Sequence, residues 1–218
     1  PESGMKLIIG NKNYSSWSLR AWLAAREGGF NFGEIDIPLF RPDSRERILS
    51  HSPSGKVPCL NDNGVLVWDS LAIGEYLAEK QPVLLPADPV ARATARAVSA
   101  EMHAGFRDLR THMPMNIRKD YRGFGRSPDV DEDIARIIAI WNDCRARFGA
   151  GGPYLFGHFT LADAAFAPVC FRCKTYGLEM NGAAGDYLAT MLANKHMQEW
   201  EAAARAETES IAEEDLYG

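Results

Sequence analysis

Along the first third of the chain the apolar positions change period several times. Lys6 to Ile9 is an apolar run of strand length, followed by a polar loop from Gly10 to Tyr14. From Ser15 the period becomes helical. Leu19, Trp22 and Leu23 recur at three-and-four spacing, with serine at the start and Gly28-Gly29 at the end. Phe32 to Ile37 reads as a second strand. Within the polar stretch from Phe40 to Ser54, Ser44 opens a short helix with Ile48 and Leu49 as its inward positions. Cys59 to Asn61 and Val65 to Trp68 are strands flanking Asn63-Gly64, a turn pair of the hairpin type. Asp69 and Ser70 mark the next helix start, and Leu71, Ile73, Tyr76 and Leu77 form its apolar side.

The strand period stops near residue 88. Pro82 and Pro86 punctuate a stretch that reads as a linker. Asp88-Pro89 is a cap followed by proline at the first helical position, and its helix runs through Arg92, Ala97, Met102 and Phe106 to a break at Met113-Pro114. After a Gly-rich loop, Asp131 opens a helix with Ile134, Ile137, Ile138 and Trp141 on one side, ended by Gly149 to Gly152. Thr160-Leu161-Ala162-Asp163 has capping-box spacing with Asp in place of Glu. Leu188 to Ala206 reads as one final helix, and the acidic tail from Glu207 as loosely held. The expected organisation is an α/β domain at 5–82 in βαβ-ββα order, which is thioredoxin-like, a linker at 83–88, and an all-α helical bundle at 89–218. Residues 1–4 precede the first Met and read as an appended remnant.

Composition narrows the function classes. The 218 residues are 46% hydrophobic, enough for a sizeable core, and carry a net charge of −5, which argues against a nucleic-acid surface. No apolar run reaches the roughly 20 residues of a membrane span, so no membrane partner is expected. Four cysteines, without the spacing of a disulfide scaffold, point to a reducing cytoplasm. Cys170-Phe171-Arg172-Cys173 lies mid-helix without a second pair or a histidine cluster, so buried structural thiols are expected and no metal. There is no P-loop, dinucleotide glycine fingerprint or Gly-x-Ser-x-Gly elbow.

Lys56-Val57-Pro58, followed about a dozen residues later by Asp69-Ser70-Leu71-Ala72-Ile73, resembles the glutathione-binding half of the cytosolic glutathione transferases. Ser15-Ser16-x-Ser18-x-Arg20 resembles the Ser-Ser-Cys-Ser-x-Arg stretch of their zeta class and, less closely, the serine sites of the tau and theta classes. Phe159 to Ala164 resembles the N-capping motif of a central helix in the second domain, a folding element without assigned chemistry. The resemblance implies that the Val57 backbone pairs with the cysteinyl backbone of glutathione like an added strand, with Pro58 cis. It implies that Asp69 and Ser70 hold the γ-glutamyl end, and that Lys56 faces the glycyl carboxylate, with Arg41 and His51 as further candidates. The catalytic hydroxyl falls on Ser15, with Ser16 beside it in the glutathione site. Trp17 stands where the zeta pattern has cysteine, a departure that bears on isomerase activity.

The chemistry asked of the serine is modest. A free thiol has a pKa near ~8.5, so little of it is thiolate at neutral pH. A hydroxyl donating to sulfur, near helix N-terminal amides, favours the thiolate. N-capping of the first helix is the competing use of Ser15 or Ser16. His103, Phe106, Arg107 and Arg110 fall at i, i+3, i+4 and i+7 and form a candidate electrophile pocket suited to an anionic or polarised substrate; interdomain or dimer ion pairing is the other reading. The implied function is conjugation of glutathione, as co-substrate, to a small electrophile by a homodimer. A glutathione-dependent isomerase or lyase and a non-catalytic binding or scaffold protein are the alternatives.

Overall fold

The computed structural model describes residues 4–218, so that most of the expected remnant at 1–4 lies outside the described residues. The first half folds as β1 (Met5–Ile9), α1 (Ser16–Glu27), β2 (Gly33–Asp36), α2 (Ser44–Leu49), β3 (Cys59–Asp62), β4 (Val65–Val67) and α3 (Ser70–Lys80). The sheet order is β2-β1-β3-β4, with β1 parallel to β2 and antiparallel to β3, and β3 antiparallel to β4. Asn63 and Gly64 turn the hairpin at φ 51° and 94°, as the Asn-Gly pair requires. A 3₁₀ turn at Pro82–Leu84 buries Leu84. The helices that follow are α4 (Pro89–Ala104), α5 (Arg107–His112), α6 (Pro128–Phe148), α7 (Leu161–Tyr176), α8 (Gly182–Ala193) and α9 (Lys195–Ala206).

The expected α/β and all-helical halves are both present, yet they do not have separate cores. One cluster runs from Met5, Leu7 and Trp22 through Ile73 and Leu77 to Phe166, Tyr187 and Trp200. α1 is its hub, buried along nearly its whole length and packed on α3, α7 and α9. A smaller cluster of Ile8, Ile37, Ile48 and Cys59 seals the sheet's other face under α2. The site at the N-terminus of α1 is therefore fixed by both halves at once.

Four expectations change. The helix opened by Asp88-Pro89 stops at Ala104 rather than near Pro114. Phe106 adopts a left-handed φ of 62°, and this turn buries its ring in the core. The segment from Leu188 to Ala206 is two helices, because Asn194 accepts from the His196 and Met197 amides and donates to Glu27 and Tyr154. The helix expected from Asp131 begins at Pro128, capped by Ser127. Leu49 and Leu71 face outward, on the exposed side of short helices whose cores are filled by Ile48, Ile73 and Leu77.

The largest correction is the C-terminal segment 207–218, which is firmly tied. The Glu207 carboxylate accepts from the amides of Lys12 and Asn13, both at 2.8 Å. Arg118 donates to the Glu207 and Glu209 carbonyls. The Tyr14 hydroxyl donates to Asp215 at 3.0 Å and accepts from the Ile211 amide at 3.1 Å. Tyr217 stacks on Phe124 and meets Tyr121 edge-on. An acidic composition suggested a solvated tail; Glu207 and Asp215 instead hold the loop that precedes α1.

Candidate functional site

Two cavities, of 620 and 370 Å³, meet at Trp17, Lys56 and Val57 and form one cleft between the sheet edge and the second half. The N-termini of two helices open onto it. At α1 these residues are Ser15, Ser16 and Trp17; at α3 they are Asp69 and Ser70. Helix N-termini present amides without intrahelical partners and the positive end of the dipole, so both favour bound negative charge.

The smaller cavity gathers Lys56, Val57, Pro58, Asp69, Ser70 and His103. The Val57-Pro58 bond is cis. Neither backbone group of Val57 is hydrogen-bonded to another described residue. Asp69 caps α3 by accepting from the Leu71 amide at 3.1 Å, and its other oxygen lies 3.3 Å from His103 Nε2. Ser70 is 6% exposed, and its hydroxyl has no hydrogen-bond partner among the described residues. A buried hydroxyl without a partner is costly, so it marks a place where a ligand acceptor can bind with gain. The smaller cavity thus offers a ligand an unpartnered hydroxyl at Ser70 and an unpaired backbone edge at Val57.

The larger cavity holds the serine pair. The Ser15 Oγ accepts from the Ser18 amide at 3.3 Å, capping α1, and donates to Ser18 Oγ at 2.7 Å, which also accepts from the Gly10 amide. Capping uses a lone pair of Ser15, whereas a thiolate would use its proton, so one hydroxyl can serve both. Ser16 lines the same cavity, and its side chain makes no hydrogen bond to any described residue. Trp17 fills the position after them. The guanidinium of Arg20 lies 4.6 Å from its ring centre and that of Arg110 4.7 Å, while the His103 ring meets it edge-on at 5.0 Å.

The four candidates on the expected helix part company, because the chain breaks at Gly105-Phe106. His103 reaches the smaller cavity and Arg110 the larger one. Phe106 is core. Arg107 is exposed and lines neither cavity, which corrects its place in the candidate pocket. Arg41 lines the larger cavity, whereas His51 lines neither. Cys170 and Cys173 are buried, and burial pushes both thiols up, Cys173 to about 12.

The sequence reading passed over two cavity residues. Arg172, between those cysteines, is 3% exposed; burial, then the Arg110 charge, lowers its pKa to about 10. Glu214, from the tail, has its pKa raised by burial, with Arg172 opposing the rise. Arg20, Arg110 and Arg172 form a cluster of like charge. All three are held below the usual arginine range, mainly by burial.

Comparison with known proteins bears on the family and the fold. A family model described as "Glutathione S-transferase, N-terminal domain" matches residues 14–80, and one described as "Glutathione S-transferase, C-terminal domain" matches residues 92–205. The chain is 34% identical to the maleylacetoacetate isomerase of Rattus norvegicus over 172 residues, 76% of each chain. It is 27% identical to a probable maleylacetoacetate isomerase of Caenorhabditis elegans over 76% of this chain and 77% of that protein. Among solved structures, a Burkholderia glutathione transferase homolog with bound glutathione superposes with a TM-score of 0.69 at 21% identity, covering 93% of this chain and 99% of that one.

Proposed function

Because the chain belongs to the glutathione S-transferase family, we propose that it binds glutathione across the two cavities and directs the thiolate onto an electrophilic carbon of a small second substrate. The observation that carries this reading is the buried, unpartnered Ser70 hydroxyl at the N-terminus of α3, in one cleft with the free Val57 backbone and the serine pair. In this reading Ser70 and Asp69 receive the γ-glutamyl end, Val57 pairs with the cysteinyl backbone, and Lys56 faces the glycyl carboxylate. The sulfur then lies at the α1 N-terminus. There Ser15 turns its proton from Ser18 to the thiolate while keeping its capping bond, and Ser16 is a second donor. A charged acceptor strengthens such a bond to about 1.5–3 kcal/mol, enough to favour thiolate near neutral pH.

A second reading is glutathione-dependent isomerisation, in which the thiolate adds to a double bond and later leaves. The names of the relatives favour it, as does a larger cavity lined by Arg41, Arg45, Lys56, Arg110 and Arg172, which suits an acidic substrate. Trp17 at the zeta-class cysteine position weighs towards conjugation. The exposed apolar run Val65, Leu66, Trp68 and Leu71 supports a homodimer, and four free cysteines support a reducing cytoplasm.

Calorimetric titration of glutathione into the wild type and Ser70→Ala tests the binding site. Saturable binding that weakens about tenfold or more in the variant is expected, since the ligand carboxylate loses a charge-assisted hydrogen bond. No binding by the wild type would remove both readings.

A further inference from the structure

We propose that Arg172 is the residue that selects the second substrate, by taking a carboxylate borne on it, and that Glu214 is the internal carboxylate which competes for that place. The inference rests on the reading that this cleft receives the electrophile, and it deepens that reading. Arg172 projects from α7 into the larger cavity while remaining 3% exposed. Its Nε donates to the Met113 carbonyl at 2.7 Å, which fixes the guanidinium plane. Its Nη1 is buried with no hydrogen-bond partner, and Nη2 makes no hydrogen bond to any described residue. Nη2 is therefore left to meet a ligand carboxylate, with the unpartnered Nη1 of the same planar fork behind it. A buried cation in this state is costly unless a counter-charge arrives.

Among the described residues, no partner of adequate charge is built in. Arg110 adds like charge, and its own polar contacts are carbonyls of Met102, His103 and Gly105. The one acid among the described residues that line the cavity is Glu214. Arg172 and Glu214 feel each other's charge but close no ion pair. Glu214 sits on the tail segment whose neighbour Asp215 is held by Tyr14 and Asn116, so it is kept near the guanidinium without reaching it. An incoming carboxylate can complete what Glu214 leaves incomplete, and removal of the Glu214 charge should help it.

The test needs no turnover. Binding of 3,5-dinitrobenzoate and of its methyl ester, which share a ring and lack a leaving group, is measured by calorimetry with S-methylglutathione present and absent. The wild type is expected to bind the acid at least about tenfold more tightly than the ester. Arg172→Met should erase that preference while leaving ester and glutathione binding within about twofold. Glu214→Gln should strengthen acid binding about threefold or more and leave the ester unchanged. Equal binding of acid and ester by the wild type, or a preference that survives Arg172→Met, overturns the anchor. Should Arg172→Met not fold, Glu214→Gln decides alone, and an unchanged acid-to-ester ratio overturns the competition. Glutathione is titrated separately: its failure to bind beside an intact acid preference would count against the transferase reading and not against Arg172.

Discussion

The N-termini of α3 and α7 are built from the same materials and put their carboxylates to different uses. Each pairs a hydroxyl residue with an aspartate at a helix start, Asp69-Ser70 in one and Thr160 with Asp163 in the other. At α7 the carboxylate is consumed. Asp163 accepts from the amides of Thr160 and Leu155 and from the Tyr187 hydroxyl, at 2.8, 3.3 and 2.7 Å, and is fully buried. At α3 the carboxylate caps from an exposed position and the buried Ser70 hydroxyl is left over. The Thr160 hydroxyl at α7 is also buried without a partner among the described residues, so the contrast lies in the carboxylates and the surroundings. A helix start whose carboxylate is spent inside the core locks that core, whereas one whose spare hydroxyl lines an open cleft can receive a ligand. The difference lies in neighbours far along the chain, Tyr187 for one and the open cleft for the other.

The sharpest way to break this comparison is Asp163→Ala. Two amides and a tyrosine hydroxyl lose their acceptor inside the core, so a loss of roughly 3 kcal/mol or more is expected, read from the urea midpoint. A loss below about 1 kcal/mol would mean that α7 is not locked by its cap. Next comes pH. Burial raises the Asp163 pKa to about 7, well above its unfolded value near ~3.9, so the protonated carboxyl belongs to the folded state. Its contribution is complete below the unfolded pKa and is lost as pH climbs to about 7. The wild type should therefore lose stability relative to Asp163→Asn across that window. Midpoints that stay parallel in the two proteins would contradict the assignment.

Ser15→Ala should lower thiol transfer at least about tenfold and cost about 1 kcal/mol of stability, because proton and lone pair are lost together. Ser16→Ala should do less on both counts. Equal, small losses in rate would remove Ser15 from the role proposed for it. The smallest effect is expected at the open cap. Ser70→Ala should leave the unfolding free energy within about 0.5 kcal/mol, since its hydroxyl bonds to no described residue, even as glutathione affinity falls. A destabilisation as large as that of Asp163→Ala would erase the contrast between the two helices.

Much of this molecule was legible in its sequence because the signals were local. Strand alternation, the Asn63-Gly64 turn, Asp88-Pro89 and the Thr160–Asp163 spacing each act within a few residues, and each element appears close to where its signal lies. The cleft residues from Ser15 to Ser70 were readable through motif resemblance, and the fold brings them together. What escaped depended on distant burial. The turn at Phe106, which separates His103 from Arg110 and sends Arg107 to the surface, is decided by the core that receives the ring. Arg172 was hidden between two cysteines that drew attention as a motif. Glu214 was hidden in a tail whose composition says solvent and whose partners lie near the start of the chain.

That tail has a consequence for how the chain is made. The loop before α1 takes its anchors from Glu207, some 195 residues further on. At about 5–20 residues per second a ribosome needs roughly ten to forty seconds to cover that distance. Throughout that interval the strands and first helix can be complete while the loop before α1 still lacks its last clasp. A chaperone or protease that inspects the nascent chain should find that loop the latest part of the protein to close.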